Sequence, residues 1–252
     1  MNQNRHSKTK LTKAFTLLEL AFSLAIIATL VAILLPKGVD ALRNSRVQQV
    51  AKTVDTLKTA TTNYLGLPGG NGSIPRTEGT GVPCSGAALS GGTDIAKGNG
   101  GRLDTVLLAT GMIDRPVGVR MGTQASTSTG SGSEMTWSQA LLAFVITPDT
   151  APQRNWTGVT RVEARSSQPG ALPSVALGAN FRLDGTTDRP ANVVIAYLAI
   201  PACPYADALA LAQQMNGAQL APAVGAASDA GVVAYAAPTN GVTDVYIYLM
   251  EV

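Results

Sequence analysis

The residues able to do chemistry are few, and one is set apart by where it lies. Glu19 is the sole charged residue between Phe15 and Leu35, a run of 21 residues that is otherwise apolar or carries small hydroxyls. A carboxylate in hydrocarbon costs on the order of several kcal/mol unless it is paired or neutralised, so an acid there marks a functional position. The rest of the inventory is sparse. The single histidine, His6, lies in the first 14 residues, so the remainder has no imidazole for a catalytic triad or a typical zinc site. No G-x-S-x-G occurs, and the glycine-rich runs at 69–72 and 98–101 lack the lysine–serine/threonine pair of a phosphate loop.

Cys84 and Cys203 are far apart, with no histidine nearby. In an oxidising compartment such a pair reads as a disulfide, and two buried free thiols are the alternative. Asp184-Gly185-Thr186-Thr187-Asp188 offers oxygens to calcium, but a plain turn with exposed acids is the favoured reading. Trp137 and Trp156 read as core or sheet-face residues, and Asn71-Gly72-Ser73 and Asn155-Trp156-Thr157 fit the glycosylation pattern. No cofactor and no metal is expected.

The element that must position Glu19 is a helix. A polar leader with Arg5, Lys8, Lys10 and Lys13 ends in Ala14, Phe15 opens the apolar run, and Pro36 closes it. Roughly 20 apolar residues cross a bilayer as a helix. An ordinary secretory signal cleaved after a site such as Val39-Asp40-Ala41 would have an apolar core of only about 7–15 residues and no use for Glu19. An uncleaved anchor explains the length but not the spacing of Phe15, Glu19 and Pro36. Basic residues hold 1–14 on the cytoplasmic side.

Ala14-Phe15-Thr16-Leu17-Leu18-Glu19-Leu20 resembles the processing motif of type IV pilins and of type II secretion pseudopilins. The resemblance implies cleavage by a prepilin peptidase between Ala14 and Phe15, N-methylation of Phe15, and assembly roles for Glu19 and Pro36, which become the fifth and twenty-second mature residues. Ala14 stands where the family usually has Gly. The Asp-Pro-Trp-Gly segment of major pseudopilins is absent, and the chain is long, which favours a minor or specialised subunit. The implied partners are other pilin-like subunits, the prepilin peptidase, the inner-membrane assembly machinery and the inner membrane itself. The implied location is a single-pass inner-membrane protein with a periplasmic domain, later part of a periplasmic or surface filament.

Beyond Pro36 the helical pattern resumes. Val47, Val50, Val54, Leu57, Thr61 and Tyr64 follow a three–four spacing, a narrow stripe that predicts one buried helix face. A proline inside a helix kinks it rather than ending it. Gly66, Pro68, Gly69, Gly70 and Gly72 end the helix, residues 66–101 are rich in turn formers, 103–110 predicts a short helix, and 122–134 is a low-complexity loop. Strands are predicted at 140–147, 159–164, 193–200, 232–236 and 242–249, with a helix at 205–215 and a turn at Pro238-Thr239-Asn240-Gly241 between the last two strands.

These elements predict an α+β fold with a long N-terminal helix packed on an antiparallel sheet, pilin-like in arrangement. The expected divisions are a leader (1–14), an assembly helix (15–35), its amphipathic continuation (36–65), a glycine-rich loop region with a short helix (66–135) and the sheet domain (136–252). Four of the 19 basic residues lie in the leader, which leaves 15 basic against 16 acidic side chains. That balance is not the footprint of a dedicated nucleic-acid binder. The expected function is a structural subunit, not an enzyme. The competing reading is a membrane-tethered periplasmic binding domain, or a hydrolase working with a carboxylate pair.

Overall fold

The computed structural model describes residues 17–67, 103–115, 117–122, 134–138, 143–147, 160–170, 180–191, 193–217 and 225–252, with 72, 74, 77 and 220 between them. The chain divides into two compact units, one ending at Leu42 and the other beginning at Arg43. Helix α1 (Leu17–Leu65) belongs to both and runs without interruption through Pro36. Its second half buries Val47, Val50, Val54, Leu57, Ala60, Thr61 and Tyr64, the predicted stripe with Ala60 added. The buried Thr61 hydroxyl donates to the Leu57 carbonyl at 2.7 Å, so no polar group is stranded on that face. The Gly66 and Leu67 amides bond the Asn63 and Tyr64 carbonyls and close the helix.

That face packs on a four-stranded antiparallel sheet made of β3 (Arg161–Ser166), β4 (Val194–Pro204), β5 (Val233–Tyr235) and β6 (Val242–Glu251), in the order β3-β4-β6-β5. Side chains alternate across it as the pleat requires. Val162, Ala164, Ala196, Leu198, Ile200, Val233, Tyr235, Val245 and Ile247 join the α1 stripe, α2 (Leu103–Ala109) and α3 (Tyr205–Asn216) in the main core. Ile195, Tyr197, Ala199, Ala234 and Tyr246 face the other way and pack with Phe181 in a second core. Both faces are therefore covered, which accounts for the near-continuous apolar run of β4.

The β5–β6 hairpin turns at Asn240 and Gly241, both at positive φ (53° and 78°), the pair of left-handed residues that a type I′ turn needs. In β4 the register breaks between Ile200 and Cys203, where Ala202 adopts φ 48° and its amide is held by Asp244 Oδ1 at 2.9 Å. Gly122 lies against this bulge. A Cβ there would sit 2.5 Å from the Pro201 carbonyl oxygen, and its φ is +79°, so only glycine fits without a shift.

One element was not anticipated. A separate two-stranded antiparallel sheet pairs β1 (Glu134–Ser138) with β2 (Ala143–Thr147), and β1 begins inside the stretch read as a loop. Only β1 is new: the strand predicted at 140–147 is β2, and the predicted helix at 103–110 and the other strands end within four residues of the expected positions.

Candidate functional site

The candidate site is the first half of α1. No residue from 17 to 42 is buried. Leu17, Phe22, Ile26, Ile27, Leu30, Val31, Ile33 and Leu34 are all at least half exposed, and among the described residues only Val242 and Val252 are large exposed hydrophobics outside this stretch. A helix that is apolar all round is buried by something other than its own fold. Burying one such aliphatic side chain is worth about 1.5–3 kcal/mol, so the whole stretch is strongly driven out of water. It is long and apolar enough to cross a membrane, with a mean hydropathy of 2.5 over its best 18-residue window.

Glu19 is exposed, two residues into the described part of α1. Its backbone carbonyl accepts the Ser23 hydroxyl at 2.8 Å. Pro36 lies inside the helix, also exposed. Ala14 and Phe15, the expected cleavage and methylation residues, lie outside the described residues, as do Cys84, Trp156, Asn71 and Asn155. Cys203 is buried and has a free thiol whose Sγ lies 3.6 Å from the Pro204 carbonyl. Burial, reinforced by Asp207 and Asp244, pushes that thiol up to about 12. The bridge to Cys84 stands as a prediction.

The acidic turn at 184–188 is internally satisfied. Asp184 Oδ1 accepts the Thr186 and Thr187 amides at 2.9 and 2.7 Å. The Thr187 hydroxyl first, then these amides, hold its carboxyl well below the usual range. Arg182 reaches Asp188 and Asp229, at 2.7 Å each. Its guanidinium bridges the two carboxylates. Among the described residues no group of three or more histidine, cysteine or acidic side chains is arranged to hold a metal.

The densest charge cluster was missed by the sequence reading. Arg161, Glu163 and Arg165 share the face of β3 opposite the main core and are all nearly fully buried. Glu163 Oε1 accepts from Arg161, and Oε2 accepts from Arg165 Nε at 2.7 Å and from the Tyr197 hydroxyl at 2.5 Å. Burial first, then the Glu163 charge, raises the Tyr197 hydroxyl well above its ordinary value. The signal was present in the period-two alternation of Arg161-Val162-Glu163-Ala164-Arg165. With both its oxygens engaged and no exposure to solvent, Glu163 is a structural group, not a general acid or base.

A groove of about 470 Å³ opens between Thr53, Thr56 and Leu57 of α1 and residues 112–115 with Val117 and Gly118. The Thr53 and Thr56 hydroxyls are turned back onto the Gln49 and Lys52 carbonyls. The groove's two ionisable residues are Asp114 and Arg115.

Both edge strands of the four-stranded sheet carry caps. On β3 the outward Val162 amide bonds Asp104 Oδ1 at 3.2 Å, and the Ala164 amide bonds Thr77 Oγ1 at 3.0 Å. On β5 the Val233 amide bonds Asn216 Oδ1 at 2.8 Å, and Tyr235 exchanges both backbone bonds with Ser228. An added strand would have to displace these groups.

No protein-family model, no curated protein and no solved structure matches this chain.

Proposed function

We propose that this chain is a pilin-like structural subunit, processed between Ala14 and Phe15 and assembled through its N-terminal helix into a type II secretion pseudopilus or type IV pilus, in a minor or specialised role. The observation that carries this reading is the contrast along α1: the helix is apolar but for Glu19 as far as Leu35 and uncovered as far as Leu42, while from Val47 onward it is seated on a folded domain. The capped edge strands of the main sheet support it, because a strand added there would have to displace Asp104, Thr77 or Asn216. In this reading the membrane stores residues 17–42 before assembly, and neighbouring copies cover them afterwards.

Glu19 then has a definite role. Once Phe15 is the terminus its amine is cationic, and it lies four residues, about one helical turn, from Glu19. Pairing with that amine, in the same or an incoming subunit, offsets the cost of burying the carboxylate and sets the register between neighbours. Glu19→Val should enter the membrane normally and lower filament yield by more than about tenfold, since stripping one partner from a buried pair costs several kcal/mol. Wild-type filament yield from that variant would remove Glu19 from assembly.

A further inference from the structure

The turn of α1 that precedes its first buried residue has no apolar anchor. Arg43 is half-buried, Asn44, Ser45 and Arg46 are exposed, and Val47 is the first side chain to enter the core. This turn is tied down by Asp207 on α3. Asp207 Oδ1 accepts from Arg43 Nε at 3.1 Å, and Oδ2 accepts from Arg46 Nη1 at 3.4 Å. The i, i+3 spacing of the two arginines places both on one side of the helix. Asp207 is only 5% exposed, so its two oxygens are taken up where an unpaired carboxylate is costly. It occupies the first turn of α3, a favourable end for an acid, and α3 is seated in the core through Ala208, Leu211 and Ala212.

We propose that Asp207, with Arg43 and Arg46, is a latch that decides where the packed half of α1 begins. Closed, it holds residues 43–46 on the domain. Open, it frees the helix as far as Val47, the next anchor, and adds one turn to the stretch the domain does not hold. The carboxylate is buried, but the arginine side chains are 32% and 47% exposed. Solvent ions therefore reach the latch and can compete for it. The α1 core from Val50 to Tyr64 needs no change for it to open. The proposal is independent of the filament reading.

Amide hydrogen exchange on the full-length protein in detergent micelles tests it. In Asp207→Asn, exchange at residues 44–47 should rise by about tenfold or more, as expected for losing a partly buried pair. Residues 50–64 and α3 should keep wild-type protection. Arg43→Gln combined with Arg46→Gln leaves α3 untouched and should reproduce the local effect, even if Asp207→Asn disturbs α3. Salt near 1 M, where the screening length is about 3 Å, should speed exchange at 44–47 in the wild type and not in the variants. Wild-type protection at 44–47 in both variants would overturn the latch. So would loss of protection across the whole domain in both, because the pairs would then be part of the core's own stability.

Discussion

In residues 17–42 of α1, apolar side chains point in every direction and none is buried. In residues 43–65 most fall on one stripe, Val47, Val50, Val54, Leu57, Ala60 and Tyr64, all nearly inaccessible, with Ala51 and Leu65 half-buried beside it. The two halves belong to one continuous helix, so helix formation does not distinguish them. Periodicity does. A stripe at three–four spacing states that a covering surface exists within the chain, on the side the stripe faces. Apolarity without a side states that the covering surface is elsewhere, in lipid or in other molecules.

The contrast breaks most visibly if matched truncations act alike. Leu57→Ala should destabilise the domain by about 2–5 kcal/mol in denaturant unfolding of the detergent-solubilised protein, the usual cost of emptying a packed aliphatic site. Ile27→Ala, on the uncovered half, should leave that transition within about 0.5 kcal/mol of wild type. Equal losses would mean that residues 17–42 contribute to the same cooperative unit.

A smaller effect asks whether the helix is the adhesive surface because the sheet has been closed. Asn216→Ala leaves the outward amide of buried Val233 without its partner. It should cost about 1–3 kcal/mol. It should also bring detergent-resistant association that scattering detects. Lost stability with no new association would show that the Tyr235–Ser228 backbone bonds keep β5 closed without Asn216.

The smallest effect has the opposite sign. Thr59 is exposed on the packed half, with its hydroxyl bonded to its own helix at the Asp55 carbonyl. Thr59→Ala should raise domain stability by about 0.5 kcal/mol through helix propensity alone. Thr29→Ala, whose hydroxyl likewise bonds the Ile26 carbonyl, should leave the same transition unmoved.

What could be read in the sequence was local. The α1 stripe, the helix at 103–109, the strand cores and the Asn240-Gly241 turn depend on residues within a few positions of one another, and periodicity or turn chemistry exposes them. What could not be read depends on partners far along the chain. Nothing local says that Asn216 closes the edge of β5 or that Asp104 closes that of β3. Nor does it say that Asp207 receives arginines more than 160 positions away. The Arg161-Val162-Glu163-Ala164-Arg165 alternation is visible, but charged residues on one strand face ordinarily mean solvent. Here that face is covered, and the one carboxylate of Glu163 is shared by both arginines in the interior. Of the candidate site, the apolar run able to cross a membrane was legible; that no residue is buried as far as Leu42 was not, because the run ends at Leu35. The point at which the domain takes hold of the helix was legible only as the first stripe residue, Val47, and not as the Arg43–Asp207 contact.

The central claim is that residues 17–42 are freed of their basic leader and handed from membrane to neighbouring copies. Intact-mass analysis of protein extracted from native membranes tests it most directly. The account predicts a chain that begins at Phe15 and carries one added methyl group at its terminus. A chain that still carries residues 1–14, or one that begins near Leu42, would contradict it.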